Sequence, residues 1–335
     1  MSNEGDPITS PEFQPPLTLD LFDIEKHRAY WGVMQRYSGA KYLAQILAPM
    51  AKSGSFNLEQ ELRKLAEHND PQIREHFKHV PAYLRDLLVR ASYDYIAGTG
   101  CYGQLVHELI AEEPHEVLFL VLNYDNLLER ALSEYDKKFE FANLENYVAS
   151  NREAKVVKLH GSINWYRLIG SPKNPWESCI SSLDIFNRPP DNEIQVYDSQ
   201  EYTANLVVTG LRVYPLLTAP LAGKGTMDMV CPSAHVKAAQ EFLADCYKFL
   251  IIGTSGTDDD VMSLLNSSHP EVDAYAPYVH VVDISKDQAK TILDRFQNEV
   301  QAWRWLVTGS MTYGQGFKNY VSGNEMKDFA KYCHR

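Results

Sequence analysis

The sequence predicts an α/β protein: a Rossmann-like three-layer parallel sheet with a large N-terminal helical insertion and an irregular insertion near 166–230. Three observations carry this expectation. Short apolar or β-branched runs recur after residue 115, at 117–122, 156–159, 249–252 and 279–282. Helix-like segments separate them, at 126–135, 233–248, 258–266 and 286–300. Each run is apolar on both faces, as a parallel strand covered by helices on two sides must be.

In chain order, residues 1–17 are Pro-rich and polar and read as a loop, with Thr18 able to cap a helix beginning at "LDLF". From 24 to 112 the pattern is helical, because "GAKYLAQILAPMA", "NLEQELRKLAEH" and "VPAYLRDLLVRASYDYI" repeat apolar residues every three or four positions. Four or five helices and no strand are expected there. Residues 115–165 and 231–335 form the expected Rossmann-like core. The stretch 166–230 mixes prolines and turns with short strand-like pieces such as "NLVVTGL" and reads as a small subdomain or flap. The whole is expected to be one domain, 1–335.

The chain has 335 residues, 44% of them hydrophobic, enough for a large core. A formal net charge of −12 argues against non-specific nucleic-acid binding and against an anionic membrane surface. No apolar run reaches the roughly 20 residues of a membrane span, and no basic–apolar leader opens the chain. A cytoplasmic protein is expected. The five cysteines, Cys101, Cys179, Cys231, Cys246 and Cys333, form no CxxC pair, so free thiols are expected and structural zinc is not.

Ligands of open α/β sheets bind beyond the carboxyl ends of the strands. Four strand ends here carry ligand-type groups. "VLFLVLNYDNLLERAL" breaks from an apolar strand into Asn123, Tyr124 and Asp125, although either Asn123 or Asp125 could simply cap the next helix. "VVKLHGSINW" breaks into His160 and Gly161, the glycine admitting close approach of a backbone or a ligand. "FLIIGTSGTDDDV" offers Gly253, Thr254 and Ser255 ahead of a helix whose amides attract phosphate or ribose oxygens, or a plain turn capped by Thr257. "HVVDIS" ends on Asp283, a ribose-diol acceptor or a helix cap. "GTGCYG" at 98–103 matches GxGxxG only formally, because helical spacing precedes it where a strand is required.

The ordered set Asn-Tyr-Asp, Lys-Leu-His-Gly-Ser-Ile-Asn-Trp and Gly-Thr-Ser resembles the sirtuin superfamily, and more narrowly the sirtuin-like domains of bacterial NAD-consuming proteins of antiphage defence. "PPLTLDLF", "CPSAHVKAAQEFL" and "GQGFKNYV" extend the likeness over most of the chain. The resemblance implies cleavage of NAD, as substrate, to nicotinamide and ADP-ribose without a metal. Asn123 would position the nicotinamide ribose and the attacking water, Asp125 would support the site, and His160 would act on the ribose hydroxyls. Gly161 would stand beside the cofactor, and Gly253, Thr254 and Ser255 would hold the adenosine side, with Asp283 on a ribose. Tyr124 and Trp165 would either pack at the nicotinamide or fill core beneath it.

Two departures bear on this. The four-cysteine zinc module of deacylating sirtuins is missing, since only Cys179 and Cys231 lie in that interval, so protein deacylation is not expected. The family also opens with a strand and a Gly-Ala-Gly-x-Ser loop around the NAD pyrophosphate, and no such stretch occurs here. The expectation is that Met1 is internal and that the protein begins further upstream; the rival is a domain that has lost its phosphate cradle. A non-catalytic NAD- or ADP-ribose-binding or scaffold module is the alternative function, and a hydride-transferring enzyme built on residues 98–103 ranks last. The implied partners are NAD and either a second copy of the chain or a defence-system protein.

Overall fold

The computed structural model describes residues 22, 31–51, 58–92, 100–111, 116–169, 189–199, 203, 207–208, 211–218, 230–268, 277–303 and 310–331. The readings of 1–17, Thr18, Gly98, Cys179 and Cys333 lie outside them. Five helices open the described chain: α1 (Trp31–Met34), α2 (Ser38–Ala51), α3 (Leu58–Ala66), α4 (Pro71–Phe77) and α5 (Val80–Ser92). Asp70 starts α4 by accepting a hydrogen bond from the Gln72 amide, with Pro71 just inside. Their apolar stripes, among them Tyr37, Leu43, Leu62, Phe77 and Leu84, close on one another as a separate core. Buried Arg85 and Asp86 of α5 tie that layer to the rest of the molecule. Arg85 donates from Nε to the Ile163 carbonyl at 3.1 Å and from Nη1 to Asp86 at 2.9 Å, and Asp86 accepts from the Thr203 amide at 2.9 Å.

After α6 (Cys101–Ile110) come β1 (Val117–Val121), α7 (Leu127–Tyr135) and β2 (Ala154–Lys158), with β1 and β2 paired in parallel from Val117↔Ala154 to Val121↔Lys158. The chain then turns at residues 159–160 into β3 (Gly161–Leu168). With β4 (Ile194–Val196), β5 (Val207–Val208) and β6 (Leu211–Leu217), β3 forms an antiparallel sheet ordered β4-β3-β6-β5. Within 166–230 the described residues thus include strands of an antiparallel sheet, whose first strand begins at Gly161, inside the segment assigned to the parallel core. "SINW" does not loop into the crevice. Ser162, Asn164 and Trp165 are buried, and Trp165 packs edge-on to Tyr147 and His235 as core.

The last third alternates helix and strand: α8 (Ser233–Ala244), β7 (Lys248–Ile252), α9 (Asp259–Ser268), β8 (Tyr278–Val282), α10 (Lys286–Glu299), β9 (Met311–Tyr313), α11 (Gly316–Val321) and α12 (Asn324–Lys331). Strands β7, β8 and β9 pair in parallel in that order. The parallel strands thus form a pair and a triplet, where the sequence predicts one sheet. Both sets feed the same two cores by alternation along the strand. Phe119, Val156 and Val282 join one core with residues of α6, α7, α11 and α12. Val157, Val279 and Val281 join the other with residues of α8, α9 and α10. The architecture is mixed α/β with short parallel sheets, consistent with a Rossmann-like fold. No helix among the described residues is long and apolar enough to cross a membrane. Cys101 and Cys231 are buried and Cys246 is half-buried.

Candidate functional site

The first strand end is held from below by a buried ion pair that sequence reasoning missed. Lys158, the last residue of β2, is fully buried and bonds Glu129 of α7 at 3.0 Å; it also donates to the Asp125 carbonyl. Burial pushes the Glu129 carboxyl upward and the Lys158 charge opposes it. Above this pair, Asp125 accepts from the Leu127 amide at 3.1 Å, an Asx-type turn leading into α7, whose cap position is Asn126. Tyr124 packs its ring against the helical-layer core, and its carbonyl accepts from the Ile163 amide at 2.9 Å. Asn123 remains exposed. Its side chain meets the hydroxyl of Tyr102, which burial and the Asp125 charge push upward and the Asn123 hydrogen bond pulls back. Tyr102, which comes from the "GTGCYG" stretch, thus lies at the site.

The second strand end carries His160 in the turn between β2 and β3. Its Nε2 lies 2.8 Å from Asp258 Oδ2, and its Nδ1 lies 3.7 Å from Asp260 Oδ2. Asp258 is anchored in turn by the amides of Asp260 and Val261, both at 3.1 Å from Oδ1. Asp258, and not Thr257, therefore caps α9. Burial works to raise the Asp258 carboxyl, but the His160 hydrogen bond and charge and the two amides outweigh it and hold the carboxyl below its usual value. His160, Asp258 and Asp260 each offer one ligand atom within 4.8 Å of the others, a set that could also hold a cation. Gly161 has φ +84°, and a Cβ there would lie 2.2 Å from the Leu216 carbonyl oxygen. The close approach that the glycine permits is that of the β6 backbone.

The third strand end is a turn stabilised largely by its own groups. Gly253 has φ +61°, and its amide bonds the Val282 carbonyl at 3.2 Å. Thr254 Oγ1 accepts from the Gly256 amide at 3.2 Å, and the Ser255 and Thr257 hydroxyls meet at 2.7 Å. At the fourth, Asp283 accepts from the Ile284 amide at 2.7 Å, while Ser285 caps α10.

Asn123, Gly253, Thr254 and Asp258 line a single cavity of about 1240 Å³ that runs between β1 and β7. His160 stands at it through Asp258. Ser255 and Asp283 are not among the lining residues, and Tyr124 faces the helical layer. Apolar walls and a few convergent polar groups make this the natural small-molecule site. The signal for Asp258 was present in "TDDDV", but nothing local tells which of three successive aspartates turns toward His160.

The sequence pattern of the SIR2-like domain matches residues 117–302, which spans both parallel sheets' first strands, the His160 turn and the Gly253 turn. No curated protein matches the chain. With more than half of its length in that match, the chain belongs to the SIR2-like domain family.

Proposed function

We propose that this protein hydrolyses NAD to nicotinamide and ADP-ribose, in bacterial antiphage defence. Membership of the SIR2-like family points to NAD-related chemistry. The observation that carries the finer reading is the convergence of Asn123 with Gly253 and Thr254 on one cavity, with His160 held at its edge by Asp258. Loss of nicotinamide leaves an oxocarbenium-like ribose, so the site must hold the ribose, orient a water and tolerate spreading positive charge. Asn123 orients the water. His160, restrained by the Asp258 carboxylate, accepts a proton from the ribose diol or the water. The acidic groups Asp125, Asp258 and Asp260 supply negative potential, and Tyr102 holds the Asn123 amide in place. The two parallel sheets are read as halves of one three-layer sheet whose carboxyl edge is the NAD crevice.

The test is nicotinamide release from NAD. Asn123→Ala and His160→Ala are each expected to lower turnover by about 100-fold or more, the usual worth of a positioned acid–base group. Undiminished turnover in both removes the catalytic assignment. One observation favours a second reading, a non-catalytic NAD- or ADP-ribose-binding module: the Thr254, Ser255 and Thr257 hydroxyls bond within their own turn. ADP-ribose binding without any nicotinamide release would select it.

A further inference from the structure

Away from the cavity, Tyr147 closes the short turn Leu144–Tyr147 and is fully buried between β3 and α8. Its ring lies 5.3 Å from Trp165 of β3 and 5.7 Å from His235 of α8, and those two lie 5.4 Å apart, centroid to centroid. Neighbours along a strand ordinarily point to opposite faces. Asn164 and Trp165 nevertheless both reach Tyr147, and the β3–β6 register shifts between Gly161 and Tyr166, as a bulge there requires. Asn164 Nδ2 donates to the Tyr147 hydroxyl at 3.1 Å. The Trp165 indole N–H bears on the same oxygen and works to lower the phenol, but lacks the geometry of a hydrogen bond.

The polar atoms left over in this triangle do not satisfy one another. Among the described residues, Asn164 Oδ1, Trp165 Nε1 and His235 Nδ1 are buried without a hydrogen-bond partner. His235 Nε2 lies 2.9 Å from the Leu144 carbonyl, which can only accept, so Nε2 carries the ring proton. Burial lowers His235 to about 4, so the ring is neutral at pH 7 and Nδ1 is a bare acceptor. The set is thus two acceptors and one donor enclosed by three aromatic rings, and buried groups of this kind are seldom left unmet.

We propose that one buried water molecule sits among Asn164, Trp165 and His235, donating to Asn164 Oδ1 and His235 Nδ1 and accepting from Trp165 Nε1. Three hydrogen bonds are the usual complement of an interior water, and one water bridges partners about 5.5 Å apart, the scale of this triangle. The donor set favours water over an ion. A cation would face the indole N–H, and an anion would face two lone pairs. Turning the Asn164 amide over exchanges one acceptor for one donor, and water still satisfies the result. The molecule bolts β3 to α8 and to the Leu144–Tyr147 turn. It also extends a polar chain toward the candidate site, because the Tyr147 phenol lies in the field of Glu129, the partner of Lys158 beneath Asp125. The assignment rests on hydrogen-bond bookkeeping and does not depend on NAD cleavage.

The experiment is a crystal structure of the 335-residue chain at a resolution that shows ordered water, joined to proton NMR of the same chain in solution. A water-sized density peak is expected about 2.7–3.2 Å from Trp165 Nε1, Asn164 Oδ1 and His235 Nδ1. In solution the Trp165 indole proton, identified by its loss in Trp165→Phe, should show a cross-peak to a long-lived water. If Trp165→Phe does not fold, the density alone decides. A dry triangle, an anion or cation in it, or a protein group on Trp165 Nε1 or His235 Nδ1 overturns the proposal. So does an indole proton that shows no bound water.

Discussion

Removing the ammonium of Lys158 should be among the most damaging single changes in the parallel core. In Lys158→Met the stem stays and the charge goes. Lys158 is fully buried and Glu129 nearly so, at 3.0 Å. At that distance and an effective dielectric near 20 their attraction is about 5–6 kcal/mol, which roughly offsets what it cost to take both ions out of water. Without its partner, Glu129 must stay charged in an apolar core or take up a proton, and its Oε2 already has no hydrogen-bond partner among the described residues. Protonating a carboxyl of ordinary value 4.5 at pH 7 costs about 3.4 kcal/mol, and the lost hydrogen bond to the Asp125 carbonyl adds about 1 kcal/mol. The expected destabilisation is therefore about 3–5 kcal/mol, as found when one partner of a buried pair is removed. Its pH dependence follows from the sign. A carboxyl raised in the folded state is compatible with folding below its unfolded value and weakens folding as pH rises above it. The penalty should then shrink to about 1–2 kcal/mol at pH 5, and Lys158→Met with Glu129→Gln should recover most of the loss at pH 7. Urea unfolding followed through buried Trp165 and Trp303 measures this as a shifted midpoint at constant slope. A cost below about 1 kcal/mol, or one that is flat from pH 5 to 7, would refute the reasoning.

Three other outcomes are expected. Gly161→Ala should destabilise the β3–β6 junction by about 2 kcal/mol or more, seen in thermal unfolding, because the added methyl meets the Leu216 carbonyl at a positive φ. Asp258→Asn should lower NAD turnover about tenfold while leaving folding largely intact, since an amide still accepts from the two α9 amides but no longer offers His160 a carboxylate; undiminished turnover would remove the positioning role. Burial, and for His280 also the Lys248 charge, lowers His235 and His280 from 6.5 to about 4. Their contribution to stability is then full above pH 6.5 and is lost as pH falls toward 4, by at most about 3 kcal/mol each. Midpoints of urea unfolding across that window test it, and a His280 proton resonance titrating near 6.5 would contradict it.

Much of the chain was legible residue by residue. The repeats every three or four positions in 31–92 do become helices, and "VLFLV", "KFLII" and "YVHVV" do become parallel strands, because periodicity and β-branching act on neighbours along the chain. The polar strand ends were also visible, as residue types out of place after an apolar run. What stayed hidden was pairing. "KLHGSINW" reads as one strand breaking into a ligand loop, yet Gly161 starts an antiparallel strand whose partner, β6, lies some fifty residues on. Asp125 and Asp258 look alike in sequence, but Asp125 accepts from the Leu127 amide two residues on, while Asp258 reaches across 98 residues to His160.

The sequence by itself determined the helices, the strands and the chemistry offered at each strand end, since these depend on side-chain type and on contacts a few residues apart. Tertiary structure alone decided which strand lies beside which, that Lys158 neutralises Glu129 beneath Asp125, and that β1 and β7 line one cavity. Those outcomes depend on burial and hydrogen bonding between segments far apart in the chain, where the favourable partner is set by which groups are left unsatisfied once the cores have closed.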